Sequence, residues 1–247
     1  MSVTDGYMHA WEGFWSEVSG ARGEVFWDTE PELTVALHLA LFEPHVDDHR
    51  LTLVDIGCGN GTQTLFLADR FPGVLGVDLS AAAIALALRR ERPEPLGEIR
   101  FRQLDAVDSA GIARLRAETG DCNVYVRGVL HQAEPQDRQA LADAIAVLVG
   151  TRGRAFVVEP AEAAGRRLAE LAAAPAGPPP KLQPVLRHCV APRTMSDDEP
   201  TALFAAASLP VLAEGELPLT TTEYEPDGSR IALPSKWLVL GRRPERP

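Results

Sequence analysis

The run Val54-Asp55-Ile56-Gly57-Cys58-Gly59-Asn60-Gly61 places an acid and three alternating glycines at the end of an apolar stretch. Glycine has no Cβ, so such a loop turns sharply and lets a ligand approach the backbone where any side chain would collide. Leu51 to Ile56, apolar but for Thr52 and Asp55, reads as a buried parallel strand. From Thr62 the pattern becomes helical, with Leu67 and Phe71 one turn apart. Strand, glycine loop and helix in that order form a nucleotide crevice at the carboxyl edge of an open α/β sheet. Two more acids close expected strands: the second, Val74 to Val77, ends in Asp78, and the third, Ile99 to Leu104, ends in Asp105-Ala106. A carboxylate at the end of the second strand can accept hydrogen bonds from both hydroxyls of a ribose.

The spacing narrows the nucleotide. A dinucleotide fingerprint, G-x-G-x-x-G, would need a glycine at position 62, where the chain has Thr62. The observed G-x-G-x-G after an acid resembles motif I of the class I S-adenosylmethionine-dependent methyltransferases. A fourth strand, Asn123 to Val126, leads into Arg127-Gly128-Val129-Leu130-His131-Gln132, similar to the R-x-V-L-H-x segment of small-molecule members of that class. The Asn-Pro-Pro-Tyr of adenine-amino and some protein-amide methyltransferases is absent. The resemblance covers residues 50 to 165 and, more weakly, a terminal hairpin. It implies S-adenosyl-L-methionine as cofactor, held by Asp55, Gly57, Cys58, Gly59, Gly61, Asp78, Leu79, Asp105, Ala106 and Arg127, with Asp105 taking the exocyclic amine of adenine. It implies methyl transfer to an O, N, S or C nucleophile of a small-molecule acceptor, specialised metabolites among the options. The alternatives are a non-catalytic adenosyl-binding protein on the same fold and a dehydrogenase, the latter opposed by Thr62 and Asp105.

Positioning these residues takes alternating elements. A fifth strand, Ala155 to Val158, ends in Glu159-Pro160, and helices are expected over Glu32 to Phe42, Ala81 to Arg89 and Gln136 to Val149. Alternation of β and α means a parallel sheet with helices on both faces. At the C-terminus, Leu217 to Glu223, a Pro226-Asp227-Gly228 turn and Lys236 to Leu240 read as a hairpin within 211 to 242. In the family this adds an antiparallel last strand, so the expectation is a Rossmann-like, doubly wound, mostly parallel seven-stranded sheet in a single domain over 1–247. His131 follows the fourth strand. It is either a general base, since an imidazole titrates near neutrality, or a residue that only shapes the pocket.

Two segments fall outside that core. Residues 1 to 31 crowd Trp11, Phe14, Trp15, Phe26 and Trp27 together, with Trp11 and Trp15 on one helical face. They are either core packing or a flap in which Trp11 and Phe26 cover the cofactor and exclude water. Residues 174 to 200 contain Pro178-Pro179-Pro180, which argues against regular structure. An acceptor lid, a connector and a dimer contact all fit that segment.

Composition excludes several classes. With 24 basic against 35 acidic residues the formal net charge is −11, which disfavours a nucleic-acid partner. The arginine pairs Arg89-Arg90 and Arg166-Arg167 read as solvated helix faces. Three cysteines without metal-ligand spacing predict reduced thiols, no metal and a cytoplasmic home. An early segment carrying Asp5, Glu12 and Glu17 is not read as a signal peptide, and no apolar run is long enough to span a membrane.

Overall fold

Side chains along the central strands alternate between two apolar cores, and this alternation requires helices on both faces. The computed structural model describes residues 3–90 and 97–242; 1–2 and 243–247, the ends of the expected single domain, lie outside the described residues, as do 91–96. Five strands run parallel: β1 (Leu53–Ile56), β2 (Gly73–Asp78), β3 (Glu98–Gln103), β4 (Asn123–Arg127) and β5 (Ala155–Pro160). Four follow near the C-terminus: β6 (Val211–Glu216), β7 (Leu219–Tyr224), β8 (Arg230–Leu233) and β9 (Ser235–Leu240). The main sheet has seven strands in the order β3-β2-β1-β4-β5-β9-β6, with β9 antiparallel to both β5 and β6. Ile56 lies beside both Val77 and Val126, so the loops leaving β1, β2 and β4 emerge side by side at one edge.

Nine helices surround this sheet among the described residues: α1 (Val3–Glu17), α2 (Val35–Phe42), α3 (Thr62–Leu67), α4 (Ala81–Arg89), α5 (Ser109–Thr119), α6 (Arg138–Val149), α7 (Glu162–Ala172), α8 (Leu182–Arg187) and α9 (Glu199–Ala206). On β4, Tyr125 points into a core shared with α1, α2, α7 and α8, whereas Val124 and Val126 face α5, α6 and α9. The same split recurs on β5, where Phe156 and Val158 face one side and Ala155 and Val157 the other.

Three expectations change. The Pro-Asp-Gly turn joins β7 to β8 in a separate two-stranded sheet rather than joining residues 217–223 to 236–240. The reason is burial: Leu238, Val239 and Leu240 are covered on both faces, as an inner strand requires, while β7 is rich in threonine. The expected helix over 32–42 divides at Thr34 (φ −127°, ψ −68°) into a 3-10 turn, Pro31–Leu33, and α2. The proline-rich segment does contain a helix, α8, with Pro184 at its third position. The first turn has no intrahelical acceptor for its N–H groups, so proline costs no hydrogen bond there.

Behind the site, His38 Nδ1 lies 2.7 Å from the Tyr125 hydroxyl, deep among Tyr125 and Phe156. Burial, and secondarily the Arg127 charge, lowers its pKa from 6.5 to about 3. The fold therefore accepts only the neutral ring. Stability from this group is complete above pH 6.5 and is lost as the pH falls toward about 3. His38→Asn, which keeps an acceptor near the hydroxyl, should flatten that limb. Denaturant titrations of the two proteins should diverge by on the order of 3–5 kcal/mol between neutral and pH 3. Parallel profiles would show that His38 does not titrate in this way.

Candidate active site

The glycine loop is fixed from beneath. Gly57 and Cys58 donate their N–H groups to Val77 O at 2.8 and 3.1 Å, so the loop closes over the end of β2. Gly59 has φ +54°, and a Cβ there would lie 2.7 Å from the Trp15 ring. Its N–H donates to Asp78 Oδ2 (2.9 Å), while Ser80 N–H donates to Oδ1 (2.9 Å). Asp78 is thus no solvated turn residue. Burial raises its pKa to about 6 against those amides, and the Glu12 charge pushes the same way. Asp55, at the end of β1, accepts from Thr64 Oγ1 at 2.6 Å, and burial raises it to about 7.

A strap over residues 25–29 crosses this loop and is tied on three sides. Asp28 Oδ2 accepts from Asn60 Nδ2 (2.9 Å) and Thr62 Oγ1 (3.0 Å), and Thr29 O accepts from Gln63 Nε2 (3.0 Å). From the end of β4, Arg127 Nη2 donates to Trp27 O at 2.9 Å. From the hairpin, Thr222 N–H donates to Phe26 O at 2.8 Å and its hydroxyl to Val25 O at 3.0 Å. Arg90 braces the loop too, with Nε on Asn60 O at 3.0 Å, so the solvated-face reading fails for this residue.

The aromatic residues of the N-terminal segment divide between the core and the cleft wall. Phe14, Trp15 and Phe26 are buried in the core, and Trp11 and Trp27 pack on them at the cleft wall. α1 is docked at one end by Glu12, which accepts from Ser80 Oγ (2.7 Å) and Ala82 N–H (3.2 Å). At its other end Glu17 pairs with Arg187 and with His188 (3.0 Å), on α8 and just after it.

Beyond the end of β4, Glu159 organises the next loop. Its carboxylate accepts from the N–H groups of Val129 (2.9 Å), Leu130 (2.9 Å) and His131 (3.2 Å), and lies 2.6 Å from His131 Nδ1. A carboxylate facing Nδ1 calls for a proton there, which leaves the lone pair on Nε2. Nε2 lies 2.9 Å from Gln132 Nε2, whose amide also donates to Val190 O (3.0 Å), just beyond α8. Farther along that segment, buried Arg138 holds Glu199 (2.7 Å) and Thr194 O (3.1 Å).

These parts enclose one cleft of about 1500 Å³, open solvent at its mouth included. Of the residues anticipated from sequence, Trp11, Phe26, Asp55, Gly57, Cys58, Gly59, Asp78, Leu79, Asp105, Ala106, Arg127 and His131 line it. Gly61 does not. It begins α3 at φ +78° with Phe101 behind it, so it shapes the loop without facing the cleft. Asp28, Asn60, Gln132 and the β7 threonines also line the cleft; Asn60 and Gln132 stood inside the quoted motifs without an assigned role, and no motif flagged Asp28 or the threonines. The residues fit an adenosyl group: Gly57 and Gly59 hold positive φ where backbone lines the cleft, and Asp78 keeps lone pairs beyond its two amides. Among the described residues no cluster of His, Cys, Asp or Glu is arranged to hold a metal ion, and no helix is long and apolar enough to cross a membrane.

Comparison with known proteins agrees with this geometry. Residues 53–153 match the family model of a methyltransferase domain. Methyltransferase nsrG of Aspergillus novofumigatus is 31% identical over 123 residues, 47% of this chain and 45% of its own length. The stretches matched in the curated relatives span less than half of those proteins. An S-adenosylmethionine-dependent methyltransferase structure from Anabaena variabilis superposes with a TM-score of 0.86 at 28% identity, covering 96% of this chain and 95% of the other. Geranyl diphosphate C-methyltransferase from Streptomyces coelicolor, solved with Mg²⁺, geranyl diphosphate and S-adenosyl-L-homocysteine, shares the fold at 17% identity and a TM-score of 0.59, covering 96% of this chain and 98% of its own. With the motif, strand order and whole-chain superposition in agreement, residues 53–153 carry a methyltransferase domain on the class I, Rossmann-like fold of S-adenosylmethionine-dependent methyltransferases.

Proposed function

We propose that this chain is an enzyme that transfers the methyl group of S-adenosyl-L-methionine to a protic nucleophile on a small-molecule acceptor. The observation that carries this reading is that one cleft holds both the carboxylate-ended glycine loop and an imidazole oriented by Glu159. When bound, S-adenosylmethionine supplies a methyl group already activated on a sulfonium. What remains for the protein is to align the nucleophile, exclude water and accept a proton. The 174–200 segment serves as acceptor lid within a single domain.

Each residue takes a definite part. Asp78 accepts from the ribose hydroxyls and Asp105 from the adenine amine. Gly57 to Gly59 and Leu79 pack on the nucleoside. Asp55, held by Thr64, lines the floor of the cleft beneath the loop. Arg127, whose Nε is buried without a partner, offers that donor to the cofactor's own carboxylate. Trp11 and Phe26 close the cleft against water. His131 takes the acceptor proton at Nε2 once the acceptor's X–H displaces the Gln132 amide, and the Glu159 carboxylate stabilises the imidazolium so formed.

Asp78→Ala should weaken cofactor binding by roughly one to two decades, since a hydrogen bond to a charged acceptor is worth about 1.5–3 kcal/mol. Ribose hydroxyls favour the ionised carboxylate, so wild-type affinity should fall as the pH drops below about 6. Titration calorimetry across pH 5 to 8 tests both points, and an unchanged affinity in a folded mutant would reject the ribose assignment.

His131→Ala should slow methyl transfer by roughly 10²–10⁴-fold and remove the acidic limb of the rate profile, with cofactor affinity nearly intact. Glu159→Gln should move that limb and lower kcat more than it raises the acceptor KM. A mutant of His131 with altered KM but intact kcat and pH profile would assign the imidazole to binding alone.

A further inference from the structure

The wall of the cleft built by α7, α8, the residues just after α8 and the hairpin is apolar. Leu168, Leu182, Val185, Val190, Leu219 and Leu233 line it, and all are buried. Polar groups reach the cleft from this side only through Thr220 and Thr221, while His131 and Gln132 enter from the β4 loop. Charge in the cleft is one-sided. Asp28, Asp55, Asp78 and Asp105 face it, whereas among the described lining residues Arg127 is the single arginine or lysine. That guanidinium is attached to Trp27 O and lies close enough to Asp55 to lower its pKa, which keeps it at the cofactor end.

An anion entering the apolar end would lose its water without gaining a cation from the residues that line that wall. An uncharged molecule with an extended apolar body meets no such penalty, and every methylene it buries adds affinity. Resting on the methyl-transfer reading above, we infer that the acceptor is a neutral, largely apolar small molecule, with a single protic nucleophile directed at His131 and its hydrocarbon body against α7, α8 and the hairpin. Di- and tricarboxylates, phosphates and diphosphates are excluded as acceptors by the same charge distribution.

Matched probe series test this with the full chain. 4-Alkylphenols from ethyl to octyl are neutral near pH 7, and the corresponding 4-alkylbenzoates are anions of nearly the same shape. Quenching of tryptophan fluorescence, with Trp11 and Trp27 at the cleft wall, reports binding without any turnover. Phenol affinity should rise roughly three- to four-fold per methylene until the space is filled. Benzoates of equal length should bind at least ten-fold more weakly. Val185→Asp should abolish the chain-length dependence. Should that buried substitution prevent folding, Thr220→Arg, at a half-buried hairpin position, should turn the preference toward the benzoates. Benzoates binding as tightly as phenols, an affinity independent of chain length, or a Thr220→Arg protein with unaltered preference would each overturn the inference. Calorimetry with S-adenosylmethionine on the same preparation separates the two levels. Cofactor binding without phenol binding removes the acceptor class alone, whereas failure to bind cofactor removes the methyl-transfer reading and this inference with it.

Discussion

Loops that leave parallel strands carry backbone N–H groups into the protein with no ladder to join, and here buried carboxylates accept them. Asp78 takes the amides of Gly59 and Ser80, and Glu159 takes those of Val129, Leu130 and His131. Asp28 serves the side chains of Asn60 and Thr62 in the same manner. An unmet buried amide costs about 1–3 kcal/mol, so removal of one of these carboxylates would strand several donors at once. The rest of the site depends on this arrangement, because Asp28 and Asp78 hold the loop in shape and also face the cleft, while Glu159 holds His131 to it from behind. Ligand binding and loop geometry cannot be separated at Asp78. Its pKa records the compromise: burial drives it up while the amides draw it back, and the result lies near 6.

The strap converts these local solutions into a connected wall. Its carbonyls at Val25, Phe26 and Trp27 are taken by Thr222 and Arg127, and Asp28 and Thr29 are bound by the glycine loop and α3. The β7 hairpin, which lines the apolar end of the cleft, is hydrogen-bonded at Val25 and Phe26 to the strap that packs on the glycine loop. A strand of an accessory sheet is thus linked to the glycine loop through one short strap, by backbone and side-chain bonds together.

Much of this was legible in the chain, and the illegible part has a common cause. The strand end at Asp78 could be read because an apolar run stops there whatever the tertiary context, and those near Asp55 and Asp105 because the motif spacing located them. The glycine loop could be read because positive φ restricts the residue type. Glu159 stood at a strand end in the sequence without a role, since its partners at 129–131 are nearly thirty residues away. Thr222 and Arg90 were hidden for the same reason: a threonine or arginine has no local signature that says which distant backbone it will serve. The helix in the proline-rich stretch was missed because proline was read as a breaker without regard to position, and in a first turn it breaks nothing. The pairing of β9 was misassigned because turn chemistry locates a reversal and does not choose which strands enter the main sheet.

α1 joins the two regions that vary most from a plain nucleotide fold. Glu12 caps the start of α4 together with Ser80, in contact with the end of β2, and Glu17 meets Arg187 and His188 at the lid. The two contacts differ in kind. The Glu17 side chain is 53% exposed, and solvent screens an exposed ion pair, so charge alone does not hold the end of α8 to α1. Packing carries more of it: the His188 ring stands edge-on to Phe14 at 6.1 Å and would lie 3.3 Å from a Cβ at Gly13, so any larger residue there would press the lid away. Phe14 in turn stacks on Trp27 of the strap at 5.3 Å. The Phe14 ring therefore serves both regions: the wall at Trp27 and the position of His188 just after α8 rest on one packing surface that α1 supplies.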